Sequence, residues 1–248
     1  MKIGILGVGN IGATLTRRLS EAGHHVQVAN SRGPQTIDSD VLSTGAQAVE
    51  AADVVTDVDV VIISIPLAKI PDVAHLIAGV PPGTVVIDTS NYYPLRDGHI
   101  EALDGGQVES LWVSEQLGRP VVKAWNAITS QSFDAYAAPA GTTGRLAIPV
   151  AADDDADRAL GMALVEETGF DAVDAGGLAE SWRQQPGAPV YCTDLSAAEV
   201  LAALAAAVVT RSPRRRDLAM AVIAELTADP TADLGEDFLV RVNRLMYR

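Results

Sequence analysis

Cysteine is almost absent from this 248-residue chain. Cys192 stands alone, which excludes an internal disulfide framework and leads us to expect a reducing, cytoplasmic setting. The lone thiol reads as a small buried residue, with a reactive group as the alternative. Aromatic residues make up only 4% and histidines number four. His24, His25, His75 and His99 are scattered, and the adjacent pair is not at ligand spacing, so no metal site is expected. Positive charge is scarce as well. The 18 Lys and Arg face 32 Asp and Glu, a net charge of −14, which argues against nucleic acid or an anionic membrane as a partner. Long apolar runs are lacking: Ala197 to Val209 is too short to span a bilayer and follows a charged turn. With the first strand at the start of the sequence, no signal peptide is expected. What the chain has instead is 48% apolar residues supplied largely by alanine and valine, the composition of helices packed closely on a valine-rich sheet.

The most informative stretch is the first. Lys2-Ile3-Gly4-Ile5-Leu6 is a short apolar run, and Gly7-Val8-Gly9-Asn10-Ile11-Gly12 comes directly after it. Ala13 to Ala22 reads as a helix with Leu15 and Leu19 on one face, and His25 to Ala29 as a second strand. Strand, glycine turn, helix and strand in this order form a dinucleotide-binding unit. Gly7 permits the tight turn, Gly9 offers a pyrophosphate no side-chain obstacle, and Gly12 lets the helix approach the sheet. The free N–H groups around Asn10, Ile11 and Gly12 then face the phosphates at the positive end of the helix. The end of the second strand decides between cofactors. A carboxylate there would accept from a ribose 2′-hydroxyl, whereas this chain has Asn30, Ser31 and Arg32. A hydroxyl and a guanidinium suit a 2′-phosphate, so NADP(H) rather than NAD is expected.

Further along, strands and helical segments alternate at short spacing, the pattern of a parallel α/β sheet. Strands are expected at 46–49, 59–66, 84–88, 120–124, 144–151 and 170–173, with helices at 50–56, 67–78, 108–117 and 155–168. Past Gly176 the pattern turns helical, over 194–210, 213–227 and 235–247. The expected fold is therefore α/β: a Rossmann-type doubly wound parallel sheet over residues 1–175, with a small C-terminal helical lobe, 176–248, packed on it. Ligands of such sheets lie beyond the carboxyl ends of the strands. That rule adds Ser64, Ile65 and Pro66, then Thr89 to Tyr93 with Asn91, and finally Lys123, Ala124, Trp125 and Asn126. Asn91 and Asn126 carry amides of the kind that hold a nicotinamide carboxamide or ribose. Ser64 to Pro66 reads equally as an ordinary strand-to-helix turn. Lys123 is open between a general acid and a structural lysine bonded to a strand end. Ser181 to Gly187 either caps an acceptor, with Arg183 facing an anionic tail, or is a junction loop with Trp182 packed inward. The run Arg211 to Arg216 is open between a grip on an anionic tail and a solvated helix start or inter-subunit ion pairs.

These stretches carry a resemblance. Gly7 to Gly12 with Asn30 to Pro34, then Asp88 to Gly98, then Val122-Lys123-Ala124-Trp125-Asn126, resemble the F420-dependent NADP oxidoreductases, and the cytoplasmic reductase domain of the STEAP metalloreductases is similar. The likeness covers roughly Met1 to Asn126. It implies a Rossmann domain with a small C-terminal lobe, often a homodimer, that moves hydride between NADP(H) and a deazaflavin (F420) or a flavin such as FMN or FAD. Trp125 stands where family members carry an aliphatic residue or Phe, and a larger ring there would narrow or restack the acceptor pocket. Hydride transfer between stacked rings needs position and exclusion of water more than acid–base residues. No catalytic residue is therefore assigned. Two alternatives stay open: a dehydrogenase or imine reductase of a small substrate using Lys123 and Asn126, and a non-catalytic NADP(H)-binding sensor whose nicotinamide face Trp125 blocks.

Overall fold

A computed structural model describes residues 1–229, 231 and 233–247; of the expected 176–248 lobe, residues 230, 232 and 248 lie outside the described residues. Six parallel strands form one sheet: β1 (Lys2–Leu6), β2 (His25–Ala29), β3 (Gln47–Ala48), β4 (Val60–Ile63), β5 (Val85–Asp88) and β6 (Val122–Lys123), in the order β3-β2-β1-β4-β5-β6. The order reverses between β1 and β4, so a crevice opens there beyond the carboxyl ends of the strands. β1 pairs with both, Ile5 opposite Val28 on one side and Ile62 on the other. Alternate strand residues sort onto opposite faces, as a doubly covered sheet demands. Ile3, Ile5, Val28, Val60 and Ile62 share one core with Leu15 and Leu19 of α1 (Asn10–Glu21). Leu6, Val61, Ile63 and Val86 face the other core, against Ile70 and Ile77 of α2 (Ile70–Ile77) and Trp112. α2 comes after a 3₁₀ turn at Leu67–Lys69 that begins after Pro66.

The helices after β5 are α3 (Pro94–Asp97), α4 (Glu101–Asp104) and α5 (Glu109–Leu117), and α6 (Ser130–Ala135) lies beyond β6. α6 starts on the side chain of Thr129, which accepts from the Ser132 amide, a conventional N-cap. β7 (Ala147–Val150), α7 (Asp155–Glu167) and β8 (Asp171–Asp174) come next. Here the structure departs from one continuous sheet: β7 and β8 pair with each other, parallel, as a separate two-stranded sheet. Among the described residues their strand link to the large sheet is a single antiparallel bridge between Lys123 and Ala151. The cause lies at the end of β6, where Trp125 takes a left-handed backbone conformation, φ 54°, and turns the chain out of the ladder. The helix expected at 50–56 is also absent. Glu50 to Thr56 forms turns ended by Asp57 at φ 54°, too few residues to propagate a helix before a left-handed stop.

Three helices close the chain: α8 (Ala197–Ala205), α9 (Ser212–Leu226) and α10 (Phe238–Tyr247). α8 opens on a capping box between Ser196 and Glu199. It covers the small sheet through Val200, Ala203 and Leu204 against Val173 and Leu195. α9 and α10 pack on Ala127, Tyr191 and Cys192 through Ala219 and Tyr247. Among the described residues no helix is long and apolar enough to cross a membrane.

Candidate active site: a cleft between the glycine turn and the C-terminal helices

A cleft of about 520 Å³ lies at the crevice. Its floor is built by the ends of β1, β4 and β5 and by the chain after β6; its far wall is built by α9 and α10 together with Tyr93, Arg96, Tyr191 and Cys192. At the β1 end, Gly7 has φ 109°, and a Cβ on it would sit 2.2 Å from the Ser64 carbonyl oxygen. A Cβ on Gly12 would lie 2.0 Å from the Gly7 carbonyl oxygen. Both positions therefore tolerate only glycine. Gly9 differs: a Cβ there meets nothing within 4 Å, because the residue faces the open cleft. The first helical bond runs from the Ala13 amide to the Gly9 carbonyl. The N–H groups of Asn10, Ile11 and Gly12 thus lack intrahelical acceptors, and no acidic side chain sits in the first turn. This geometry fits a pyrophosphate.

The end of β2 is tied to the turn by Gly7 N–H donating to the Ala29 carbonyl at 2.8 Å. Asn30 shapes the loop beyond it. Its Oδ1 accepts from the Arg32 amide at 2.9 Å and its Nδ2 donates to Thr36 Oγ1 at 2.9 Å. Ser31 and Arg32 are held on the surface, and no side chain among the described residues pairs with the Arg32 guanidinium. An unpaired guanidinium beside a hydroxyl fits a phosphate monoester. Ser64, Ile65 and Pro66 line the cleft next to Asn10 and Ile11. Ser90 lines it too, and its Oγ is buried without a hydrogen-bond partner, the signature of a group awaiting a ligand.

At the end of β6, Lys123 and Ala124 are placed otherwise than the sequence suggested. Lys123 and Ala124 are fully buried beneath the floor and do not line the cleft. The Lys123 ammonium donates to Asp88 Oδ2 at 2.7 Å and to the Ser90 carbonyl, so an acidic partner accompanies it after all. Trp125 and Asn126 do border the cleft. The Trp125 indole nevertheless belongs to the core, 1% exposed, with Nε1 donating to Thr168 Oγ1 at 3.2 Å. It does not stand over the cleft as a blocking ring. Asn91 and Asn126 bond each other: Asn91 Nδ2 donates to the Asn126 carbonyl at 3.0 Å, and Asn126 Nδ2 to Asn91 Oδ1 at 3.1 Å. Gln184 completes the group by donating to Asn126 Oδ1 at 2.9 Å and accepting at its carbonyl from Asn126 Nδ2 at 2.9 Å. By donor count, one amide proton of Asn91 remains for a ligand.

The comparisons with known proteins agree with this geometry. Residues 2–92 match the family of NADP oxidoreductases described as coenzyme F420-dependent. A solved structure of the hypothetical protein SMa0349 from Sinorhizobium meliloti is 30% identical, covers 79% of this chain and 95% of its own, and superposes with a TM-score of 0.68. The chain belongs to the F420-dependent NADP oxidoreductase family. A candidate F420-dependent NADP reductase from Arthrobacter sp. FB24 shares the fold at 21% identity, over 73% of this chain and 87% of its own, with a TM-score of 0.56. Escherichia coli K12 YjhV is 54% identical over 65 residues, 26% of this chain and 47% of that protein, so the match spans about half its length.

In this member of the NADP oxidoreductases the far wall of the cleft is the part that the sequence foretold least. Tyr93, Arg96, Tyr191, Cys192, Asn243 and Tyr247 reach it from separate segments of the chain, and beyond the Asp88 to Gly98 stretch, which holds Tyr93 and Arg96, no local motif announces them. Arg96 stacks on Tyr93, 5.2 Å from the ring centroid, and pairs with Asp97. Arg183 stays away from the cleft. It pairs with Glu180 at 2.8 Å and stacks on Trp182 at 4.4 Å; Trp182 itself is half-buried rather than packed inward. Two members of the arginine run are also structural: Arg215 donates to the Tyr247 carbonyl at 2.8 Å, and Arg216 stacks on Tyr92 at 5.2 Å. Beneath the floor, Glu109 is buried and accepts from the Tyr92 amide at 3.1 Å. Burial pushes its carboxyl up to about 7, against the opposing pull of the Lys123 ammonium.

Proposed function

We propose that this protein transfers hydride between NADP(H) and a ring acceptor of the deazaflavin (F420) or flavin type. The observation that carries the reading is the shared cleft. The glycine turn, with its open amides and the open face of Gly9, and an aromatic wall of Tyr93, Tyr191 and Tyr247 enclose one space, enough for a nicotinamide and a second ring. In this reading the amides of Asn10, Ile11 and Gly12 hold the pyrophosphate, and Ser31 and Arg32 hold the 2′-phosphate. Ser64 to Pro66 and Ser90 border the path to the ring end. Asn126 and Gln184 fix Asn91, whose remaining amide proton is available to the carboxamide. When bound, the cofactor supplies two electrons and one hydrogen from its ring carbon. The protein's contribution is to bring that carbon to about 3–3.5 Å from its acceptor and to exclude water. Residues 1–175 supply most of the cofactor site, and 176–248 close the acceptor side together with Tyr93 and Arg96. The sensor alternative loses its support, because the Trp125 indole is turned into the core.

The test monitors NADPH oxidation by stopped flow with F420 and with FMN. The expected result is loss of NADPH absorbance in step with acceptor bleaching. Arg32→Ala should weaken NADPH about 10- to 100-fold, the value of a charge-assisted bond to phosphate, and leave NADH within about twofold. NADPH binding without oxidation by either acceptor overturns the ring-acceptor reading; equal loss for NADPH and NADH overturns the role of Arg32.

A further inference from the structure

The far wall contains a feature that positioning alone does not require. Tyr93 and Tyr191 come from segments 98 residues apart and share a hydrogen bond of 2.6 Å between their hydroxyls. Their rings meet edge to face, centroids 6.5 Å apart at 67°, and Tyr247 adds a third ring 6.4 Å from Tyr191. The group is held against the cofactor end of the cleft. The Cys192 amide donates to the Ala127 carbonyl at 2.9 Å, which sets Tyr191 beside Asn126, while Arg96 links Tyr93 to the Asn91 carbonyl. The same cleft is also lined by the apolar Met220, Ile223 and Leu239.

Two hydroxyls bring two protons, and the bond between them uses one. The other, on Tyr191, goes to the Cys192 sulfur, a weak acceptor; no oxygen or nitrogen acceptor for it is found among the described residues. A buried hydroxyl proton held only by sulfur forgoes much of the stabilisation that an oxygen or nitrogen acceptor on a ligand would give it. We propose that the Tyr93–Tyr191 hydroxyl pair is the charge-receiving site of the acceptor: a neutral O–H aimed at the ring heteroatom on which negative charge collects as the ring is reduced. The inference rests on the ring-acceptor reading above.

Atoms and electrons balance in this scheme. Reduction brings two electrons and one hydrogen to a ring carbon of the acceptor, the displaced π pair settles on a conjugated ring nitrogen or carbonyl oxygen, and NADPH becomes NADP⁺. The acceptor leaves this step as an anion, and one proton from solvent completes its reduced form. The tyrosines keep their own protons. Burial raises both hydroxyls well above the ordinary tyrosine value, with the Cys192 and Tyr247 side chains adding to the shift. They therefore act as fixed donors, not as acids that ionise during turnover. A donor preorganised in a water-poor site stabilises developing charge more than it stabilises the neutral ground state.

This difference supplies the test, with F420 as the probe. Affinities for its oxidised and reduced forms are measured by titration calorimetry on wild type, Tyr191→Phe and Tyr93→Phe, alongside kcat. Tyr191→Phe should weaken the reduced form about tenfold and lower kcat similarly, while oxidised F420 and NADPH stay within about twofold. Tyr93→Phe, which leaves the Tyr191 hydroxyl in place, should show the same asymmetry at a smaller size. Equal losses for the two forms of F420, or none, would overturn the role of the pair and leave the hydride-transfer reading intact. A wild type that binds NADPH and neither binds nor reduces F420 would overturn that reading and this inference together.

Discussion

Replacing Lys123 by Met separates a structural role from an acid's role. The ammonium and the Asp88 carboxylate have no exposed side-chain surface and lie 2.7 Å apart. Asp88 also accepts from the Ser90 amide at 3.0 Å, and Lys123 donates to the Ser90 carbonyl, so the pair pins the chain where it leaves β5. Removing one partner leaves the other charge buried and uncompensated, which costs about 3–5 kcal/mol. Against a total stability of about 5–15 kcal/mol this is a large share. An unfolding entropy of about 2.1 cal/mol/K per residue converts it to a melting-temperature drop of about 6–10 °C for a chain of this length. Asp88→Asn should cost a similar amount. The double variant should be no worse than either single one, because the second substitution removes the charge the first had stranded. Thermal melts and urea curves on all four proteins check the cycle. A general acid would behave oppositely, losing about 10²- to 10⁴-fold in kcat with stability nearly unchanged. Singles that melt within about 2 °C of wild type, or a double variant that shows the full sum of their costs, would refute the structural role.

Glu109→Gln should change how stability depends on pH. The folded carboxyl titrates at about 7, above its unfolded value, so the folded state binds the extra proton between about pH 4.5 and 7. Stability is thus lost as pH rises through that window, by roughly 3 kcal/mol. The Gln variant keeps an acceptor for the Tyr92 amide, so urea midpoints should show it losing this slope and exceeding wild type at about pH 8. At the turn, Gly12→Ala and Gly9→Ala should part company. The Gly12 Cβ would meet the Gly7 carbonyl oxygen at 2.0 Å and cost about 1–3 kcal/mol by overpacking. The Gly9 Cβ meets nothing in the protein, so that variant should melt like wild type while binding NADPH about tenfold more weakly. Melts paired with fluorescence titration of NADPH read both.

The legibility of each part depends on the distance over which its signal acts. The β1–turn–α1–β2 unit is written in one unbroken stretch from Met1 to Arg32, and the glycines that define it are fixed by contacts inside the unit or one strand away, as Gly7 is by Ser64. β4 and β5 were legible because burial on both faces leaves an unbroken apolar run. Glu50 to Thr56 misled because helix-forming composition says nothing of the left-handed Asp57 that ends the segment. β7 and β8 carry ordinary strand patterns, and only the backbone turn at Trp125 decides that they pair apart from the large sheet. Lys123 stayed open between two roles because its partner lies 35 positions back on the neighbouring strand, where the register of β5 against β6 sets Asp88 opposite it. No reading of local spacing reaches that register.

The aromatic wall is the extreme case, and it had a signal of a different kind. Tyr93 stands at a strand end, Tyr191 and Tyr247 are unremarked in their own segments, and nothing local connects the three. Yet this chain holds five tyrosines in all, and three meet on one side of one cleft. The two large cores take Trp112, Trp125, Phe133, Phe170 and Tyr92, whereas these three tyrosines collect away from them, beside the cleft. Their concentration at a ligand-sized space therefore asks for a reason in the ligand. A flat apolar acceptor supplies one, since it takes ring contacts from such a wall and a hydrogen bond from its hydroxyls. The glycine turn and Arg32 describe the cofactor. The few tyrosines describe what sits opposite it, and they become readable only once the fold has brought them together.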